Sequence, residues 1–167
     1  MLTLDGEPVT RLYVVRSGMI RLCTNSEDGR RHVFAFVQAA GLVGFPSINR
    51  HHFTAEAVIP SRLQSVSQAD LAEQLIGNVE LLEAERGLLR KALRMREEHA
   101  LRVASLPADQ RLLSFLTDYA ENAAPDMRRE HGLVYLPMPR RDLADHLGLT
   151  LETVSRSFGI LKRRGEI

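Results

Sequence analysis

Apolar and polar residues alternate in short runs over the first part of the chain, in Tyr13-Val14-Val15, Met19-Ile20-Arg21-Leu22 and His32-Val33-Phe34-Ala35-Phe36-Val37. Ser17-Gly18, Asp28-Gly29 and Phe45-Pro46 separate them. Period-two runs punctuated by such pairs predict an antiparallel sheet or roll from about Leu12 to Val66. A short helix is expected around Ala69 to Leu75. The Gly77-Asn78 pair then breaks the run, and Asn78 can cap a long helix reaching about Ser105.

Along that long helix Leu75, Val79, Leu82, Leu89, Leu93, Ala100 and Val103 recur at steps of three and four, with Arg86 and Arg96 in the same series. A seam of this kind can pair with its twin in a second subunit, or it can lie on the chain's own β section. The arginines weaken packing unless they reach acids such as Glu83, Glu97 or Glu98. Pro107 ends the long helix and can start the next, so Ser105-Leu106-Pro107 reads as a hinge.

The last section begins there. Leu112, Leu113, Phe115, Leu116 and Tyr119 make an amphipathic supporting helix, Ala123-Ala124-Pro125 breaks it, and Leu133-Val134-Tyr135-Leu136 reads as a short strand. Leu143, Ala144 and Leu147 then mark one short helix, Gly148 a tight turn, and Thr150 the cap of a second helix with Leu151, Val154, Phe158 and Leu161 inside. Two short helices joined in this way are a helix-turn-helix. The expected architecture is α+β, with an antiparallel β-roll and short helix over 1–76, a long helix and hinge over 77–106, and a winged helix-turn-helix over 107–167.

The outer face of the second helix carries chemistry suited to DNA. Arg156 can give two hydrogen bonds to guanine O6 and N7, Glu152 can accept one from a cytosine amine, and Ser155 is short enough to let the backbone come close; one good bidentate pair discriminates by about 1–3 kcal/mol. Glu152, Ser155 and Arg156 are therefore the candidate base readers. Arg140, Arg141, Thr150, Thr153, Lys162 and Arg163, with Arg164 beside them, are candidate contacts to the DNA backbone, which set register and affinity without reading sequence. The bland reading is a solvated helix pair with ordinary surface charge.

Glu152-Thr153-Val154-Ser155-Arg156, preceded by Leu147-Gly148-Leu149-Thr150, resembles the recognition helix of the FNR branch of the CRP/FNR transcription regulators. Leu12 to Leu22, Glu27-Asp28-Gly29 and Gly41-Leu42-Val43-Gly44-Phe45 are similar to successive turns and strands of that family's β-roll. The resemblance covers nearly the whole chain. It implies a homodimer that reads a TTGAT-like palindromic half-site, with Val79, Leu82, Leu89, Leu93 and Ala100 in the dimer seam. A two-fold dimer sets its recognition helices about 34 Å apart on successive major grooves. The loop from Pro46 to His52 resembles in position the segment with which FNR-type activators touch RNA polymerase. Pro139 departs from the family's usual Ser or Thr cap. Against the family's length the chain is expected to be a fragment, with an incomplete roll and an incomplete wing.

Composition changes this picture little. A chain of 167 residues with 44% hydrophobic content can bury one or two small cores, and no apolar run approaches the roughly 18 residues of a membrane span. A single cysteine excludes an internal disulfide, and Met1 to Asp5 lack the features of a signal peptide. A soluble, cytoplasmic chain is the expectation. The net charge of +1 is too small to announce nucleic-acid binding, so that argument rests on the local basic clusters.

The family's cyclic-nucleotide members carry a Gly-Glu-Leu turn and an Arg-Ser-Ala segment for ribose and phosphate, where this chain has Gly44-Phe45-Pro46 and Phe53-Thr54-Ala55. A phosphate buried without its counter-charge costs several kcal/mol, on the order of a lost buried ion pair, so cyclic AMP is disfavoured. An iron–sulfur cluster held by four thiolates is disfavoured by a chain with only Cys23. Haem stays formally open, since His32, His51, His52 and His99 could each supply an axial nitrogen, against the plainer reading of solvated histidines. Cys23 reads as a packed side chain rather than a redox switch. No metal site and no catalytic residues are expected. The competing classes are a cupin-like β-roll metal enzyme, which lacks a His-x-His pattern here, and a sensory dimer acting through a protein partner.

Overall fold

The computed structural model describes residues 1–45 and 48–167. Strand β1 (Arg11–Asn25) is the spine of the sheet. Along one edge β4 (Thr54–Ser67) pairs antiparallel from Arg11↔Ser67 to Cys23↔Thr54. The other edge is shared by β2 (Arg31–Val37), beside Ile20 to Asn25, and β3 (Leu42–Val43), beside Tyr13 and Val14.

The alternation predicts separate strands divided at Ser17-Gly18, but the structure carries one strand straight through that pair. Register shifts lie on both sides of Ser17 and again between Met19 and Ile20. Gly18 takes φ 88°, and a Cβ there would stand 2.4 Å from Ser61 Oγ and 2.6 Å from the Pro60 carbonyl. The glycine therefore serves a bulge pressed against β4 and not a hairpin. Met19 and Ile20 project to opposite faces of the strand, yet they are 0% and 1% exposed. Ile20 joins Val15, Leu22, Val43 and Ala55 in the core of the roll. Met19 instead enters a second cluster with Tyr119, Met138, Leu143, Ala144 and Val154, so the sheet is covered on its outer face by the C-terminal helices.

Helix α1 (Gln68–Leu75) is capped by Ser67, which accepts from the Asp70 N–H. Helix α2 (Val79–Ser105) is capped by Asn78, which accepts from the Leu81 N–H as the sequence suggests. None of its residues is fully buried. Of the two seam arginines, Arg86 does reach Glu83, at 2.7 Å, whereas Arg96 finds an aromatic partner and stands 4.7 Å over the Phe34 ring of β2.

Pro107 precedes α3 (Ala108–Glu121), which buries Leu112 and Tyr119. The strand expected at Leu133 to Leu136 does not form. Val134 makes a lone bridge to Arg128, after a short 3-10 turn (Glu130–Gly132) in which His131 has φ 58°. The Tyr119 hydroxyl donates to the Tyr135 carbonyl at 2.9 Å, and the Tyr135 N–H donates to the Met127 carbonyl at 2.7 Å. These local bonds satisfy backbone groups that a ladder would otherwise have taken.

Helices α4 (Arg140–Leu147) and α5 (Leu151–Arg163) complete the chain. Leu112, Leu147 and Leu161 form the core between α3, α4 and α5. Arg111 joins this unit to the hinge, donating through Nε to the Leu106 carbonyl at 2.8 Å and through Nη1 to the Leu147 carbonyl at 3.2 Å.

Candidate nucleic-acid interface

The turn between α4 and α5 is built from three local devices. Gly148 sits at φ 64°, ψ 39°, the left-handed position that ends a helix without a Cβ penalty. Thr150 then caps α5, its hydroxyl accepting from the Thr153 N–H at 3.2 Å. At the start of α4, Pro139 provides no side-chain cap bond, in keeping with its departure from the usual Ser or Thr.

Helix α5 turns by about 100° per residue, so positions three and four apart share a face. Val154, Ser157 and Leu161 are buried on the inner side. Leu151, expected there, is 51% exposed; its place one turn from Val154 and at the edge of the stripe leaves it outside the core, and Ser157 fills the buried arc instead. On the other side Glu152, Ser155 and Arg156 are all exposed. The three candidate base readers thus share one open face of one helix.

Their side chains are partly committed. The Ser155 hydroxyl donates to the Leu151 carbonyl at 2.9 Å, leaving its oxygen free to accept. Arg156 Nη2 lies 3.5 Å from Thr153 Oγ1, a contact weak enough to be given up to a base. Thr150 and Thr153 share a hydroxyl–hydroxyl bond of 2.9 Å, so Thr150 acts first as a cap. Gly159 continues the open face one turn on, and a Cβ there would meet only Arg163 Nη1, at 3.5 Å. Its spacing of seven, four and three residues from Glu152, Ser155 and Arg156 is the sequence signal for that place.

The candidate backbone contacts divide into two groups. Arg141, Lys162 and Arg163 are exposed, and the last two sit in the final turn of α5, where positive charge also complements the helix dipole. Arg140 lies 3.2 Å over the Phe158 ring, and burial lowers its pKa from the ordinary value. Arg164 is drawn away from the set by Asp109, at 2.9 Å.

In the β-roll, Phe53, which the resemblance sets in the place of a phosphate-binding arginine, packs its ring edge-on to Phe34 and His51 at 5.9 and 5.3 Å. These residues do not fit a cyclic nucleotide. His51 is 3% exposed, and burial lowers its pKa. His99 stacks on His146 with ring centres 4.2 Å apart, and His32 faces Ser26 in the β1–β2 turn. Among the described residues no group of three or more His, Cys, Asp and Glu could hold a metal ion. Cys23 is buried, with its Sγ 3.6 Å from the Thr54 carbonyl, and burial raises its pKa. Of the loop 46–52, Pro46 and Ser47 lie outside the described residues.

Comparison with known proteins bears on this arrangement at both ends. The cyclic nucleotide-binding domain family matches residues 1–78, and the Crp-like helix-turn-helix domain family matches residues 110–167. The nitrogen fixation regulation protein FixK of Rhizobium meliloti is 33% identical over 163 residues, covering 98% of this chain and 72% of that protein. The chain belongs to the CRP/FNR family of transcription regulators. FixK of Azorhizobium caulinodans is 36% identical over 163 residues, which are 98% of this chain and 66% of that protein. The solved structure of FixK2 from Bradyrhizobium japonicum superposes with a TM-score of 0.90 at 31% identity, over 98% of this chain and 80% of that one. This CRP/FNR chain thus spans about two thirds of the length of the curated FixK relatives. Among its described residues no helix is long and apolar enough to cross a membrane.

Proposed function

We propose that this CRP/FNR regulator binds a TTGAT-like palindrome as a homodimer and that Glu152, Ser155 and Arg156 read the half-site. The observation that carries the proposal is the shared exposed face of α5, whose opposite face is anchored by Val154, Ser157 and Leu161. A helix held on one side and open on the other can enter a major groove without losing its packing. Arg156 supplies the bidentate donor for guanine, Glu152 the acceptor for a cytosine amine, and Arg140, Arg141, Thr150, Thr153, Lys162 and Arg163 hold the phosphates on either side.

The dimer is supported by α2. Val79 and Leu93 are 70% and 60% exposed, and Ala100 is exposed as well, while Leu82 and Leu89 are half-buried. An apolar stripe left open along a 27-residue helix is suited to a parallel helix pair. The working compartment of such a regulator is the cytoplasm, and RNA polymerase is its expected protein partner through the loop that includes Ile48 to His52.

Binding to a TTGAT-N4-ATCAA duplex, measured against a scrambled duplex at physiological salt, tests the reading. A selectivity of roughly 10³ or more is expected of a specific reader. Equal, salt-sensitive binding to both duplexes would remove the half-site assignment. Charge reversal in Arg156→Glu should abolish selective binding while dimerisation persists; unchanged output through a protein partner would favour the competing role.

A further inference from the structure

Helix α4 meets the β-roll through charge. Asp142 on α4 is 2% exposed, yet it is a carboxylate. Its Oδ1 accepts from Arg31 Nη2 at 2.5 Å, and its Oδ2 accepts from Arg21 Nη1 at 2.7 Å. Arg31 also grips Asp145, one turn further along α4, through Nε at 2.8 Å and Nη2 at 2.6 Å. Arg21 is braced from behind by Glu56 on β4, at 2.7 Å. Two arginines from adjacent strands of the sheet therefore hold two carboxylates on one face of the first helix of the helix-turn-helix.

We propose that Arg21 and Arg31 are positioning residues for DNA recognition, clamping α4 so that the β-roll sets the pose of the recognition helix. The inference rests on the DNA-reading function proposed above and adds the route by which the sensory half acts on it. Three observations carry it. Guanidinium forks are directional, and the Arg31 fork spans both Asp142 and Asp145, which fixes the rotation of α4 as well as its distance. The clamp also leaves Glu152, Ser155 and Arg156 on the face of α5 that stays open, so the docked pose is one that DNA can reach. Finally, two backbone amides donate across the same junction, the Gly18 N–H to the Asp126 carboxylate at 2.8 Å and the Ala124 N–H to Gln38 Oε1 at 3.0 Å. Neither involves Arg21 or Arg31, so both report the docking independently of the clamp. A shift of β1 or β2 within the sheet would move the arginines and, through them, α4. Coupling of this kind typically changes affinity by about 5–150-fold.

The test uses Arg31→Ala and Arg31→Lys in the full chain, because Arg31 lies outside the DNA-binding unit and both substitutions leave buried Asp142 with Arg21. Two readouts are needed. Amide hydrogen exchange in the DNA-free protein follows Gly18 and Ala124. In Arg31→Ala these two amides should exchange about tenfold faster while amides within α5 keep their rates. Affinity for the TTGAT duplex should fall by about tenfold, the ratio to the scrambled duplex staying constant because the reading side chains are untouched. Arg31→Lys, which keeps the charge but loses the fork, should recover part of both effects. Unchanged exchange at Gly18 and Ala124, or faster exchange with unchanged or tighter operator binding, would overturn the clamp. A wild-type protein that fails to select the operator would instead count against the half-site reading, and the exchange experiment would still decide the clamp.

Discussion

His146, on the first helix of the helix-turn-helix, donates its Nδ1–H to the Val33 carbonyl on β2 at 2.9 Å. Because a carbonyl can only accept, this bond selects the tautomer that carries its proton on Nδ1. The ring is enclosed by Phe36 and Phe115, at 5.3 and 5.2 Å between centres, and it stacks on His99. Burial pushes the pKa of His146 down to about 4, with His99 and Arg102 adding to the shift. His99 is lowered in the same direction, by burial first and Arg102 next.

This pair makes stability depend on pH. In the unfolded chain both rings take up a proton near pH 6.5, whereas the folded chain holds His146 neutral until about pH 4. Between those values the unfolded state binds more protons, so stability is complete above about pH 6.5 and falls as the pH drops toward 4. The expected loss from His146 is on the order of 2–3 kcal/mol. Urea unfolding at pH 7.5 and 4.5 measures it, and His146→Gln, which can still donate to Val33, should flatten the difference.

Gly18→Ala should be far more damaging than Gly29→Ala, although both glycines have positive φ, at 88° and 78°. At Gly29 a Cβ meets nothing within 4 Å, so the cost is the left-handed backbone alone, about 1–2 kcal/mol. At Gly18 the Cβ would collide with Ser61 and the Pro60 carbonyl, and a cost of at least about 3 kcal/mol is expected. Denaturant midpoints of the two variants check the contrast.

Arg156→Ala should remove discrimination at the guanine of the half-site, worth about 1–3 kcal/mol. Lys162→Ala should weaken binding to every duplex alike and reduce the salt slope by about one phosphate's worth. Binding isotherms at several salt concentrations separate the two, and equal effects would contradict the division between base reading and backbone holding.

Leu93→Glu places a charge on the exposed stripe of α2. Where Leu93 is 60% exposed in the single chain, the substitution should leave the protomer's own fold intact within about 0.5 kcal/mol but shift the protein toward monomer. Sedimentation and operator binding should change together; a dimer that persists would place the interface elsewhere.

Tyr119→Phe should cost about 1 kcal/mol, because the partly buried bond to the Tyr135 carbonyl is lost. The same burial, followed by Asp126, raises the Tyr119 pKa to about 12, so the hydroxyl remains a donor across the working range. Thermal unfolding of the variant measures the loss.

Periodicity and end signals by themselves determined much of this molecule. The helices at 79–105 and 151–163, the caps Asn78 and Thr150, the Gly148 turn and the shared exposed face of Glu152, Ser155 and Arg156 all depend on residues within a turn or two of one another. Short-range geometry of that kind is written directly into spacing. Tertiary structure decided the remainder. Ser17-Gly18 has the composition of a turn, but the close approach of Ser61 makes it a bulge and sends Met19 into the helical core. Leu133 to Leu136 has the alternation of a strand, but among the described residues no partner strand lies beside it, and its backbone bonds to Met127 and Tyr119 instead. Asp142 looks like an ordinary polar residue at the start of a short helix. It is buried because Arg31, 111 residues away, and Arg21, 121 residues away, neutralise it. Partners at that separation are chosen by the register of the sheet and the docking of a helix on it, which no local pattern records.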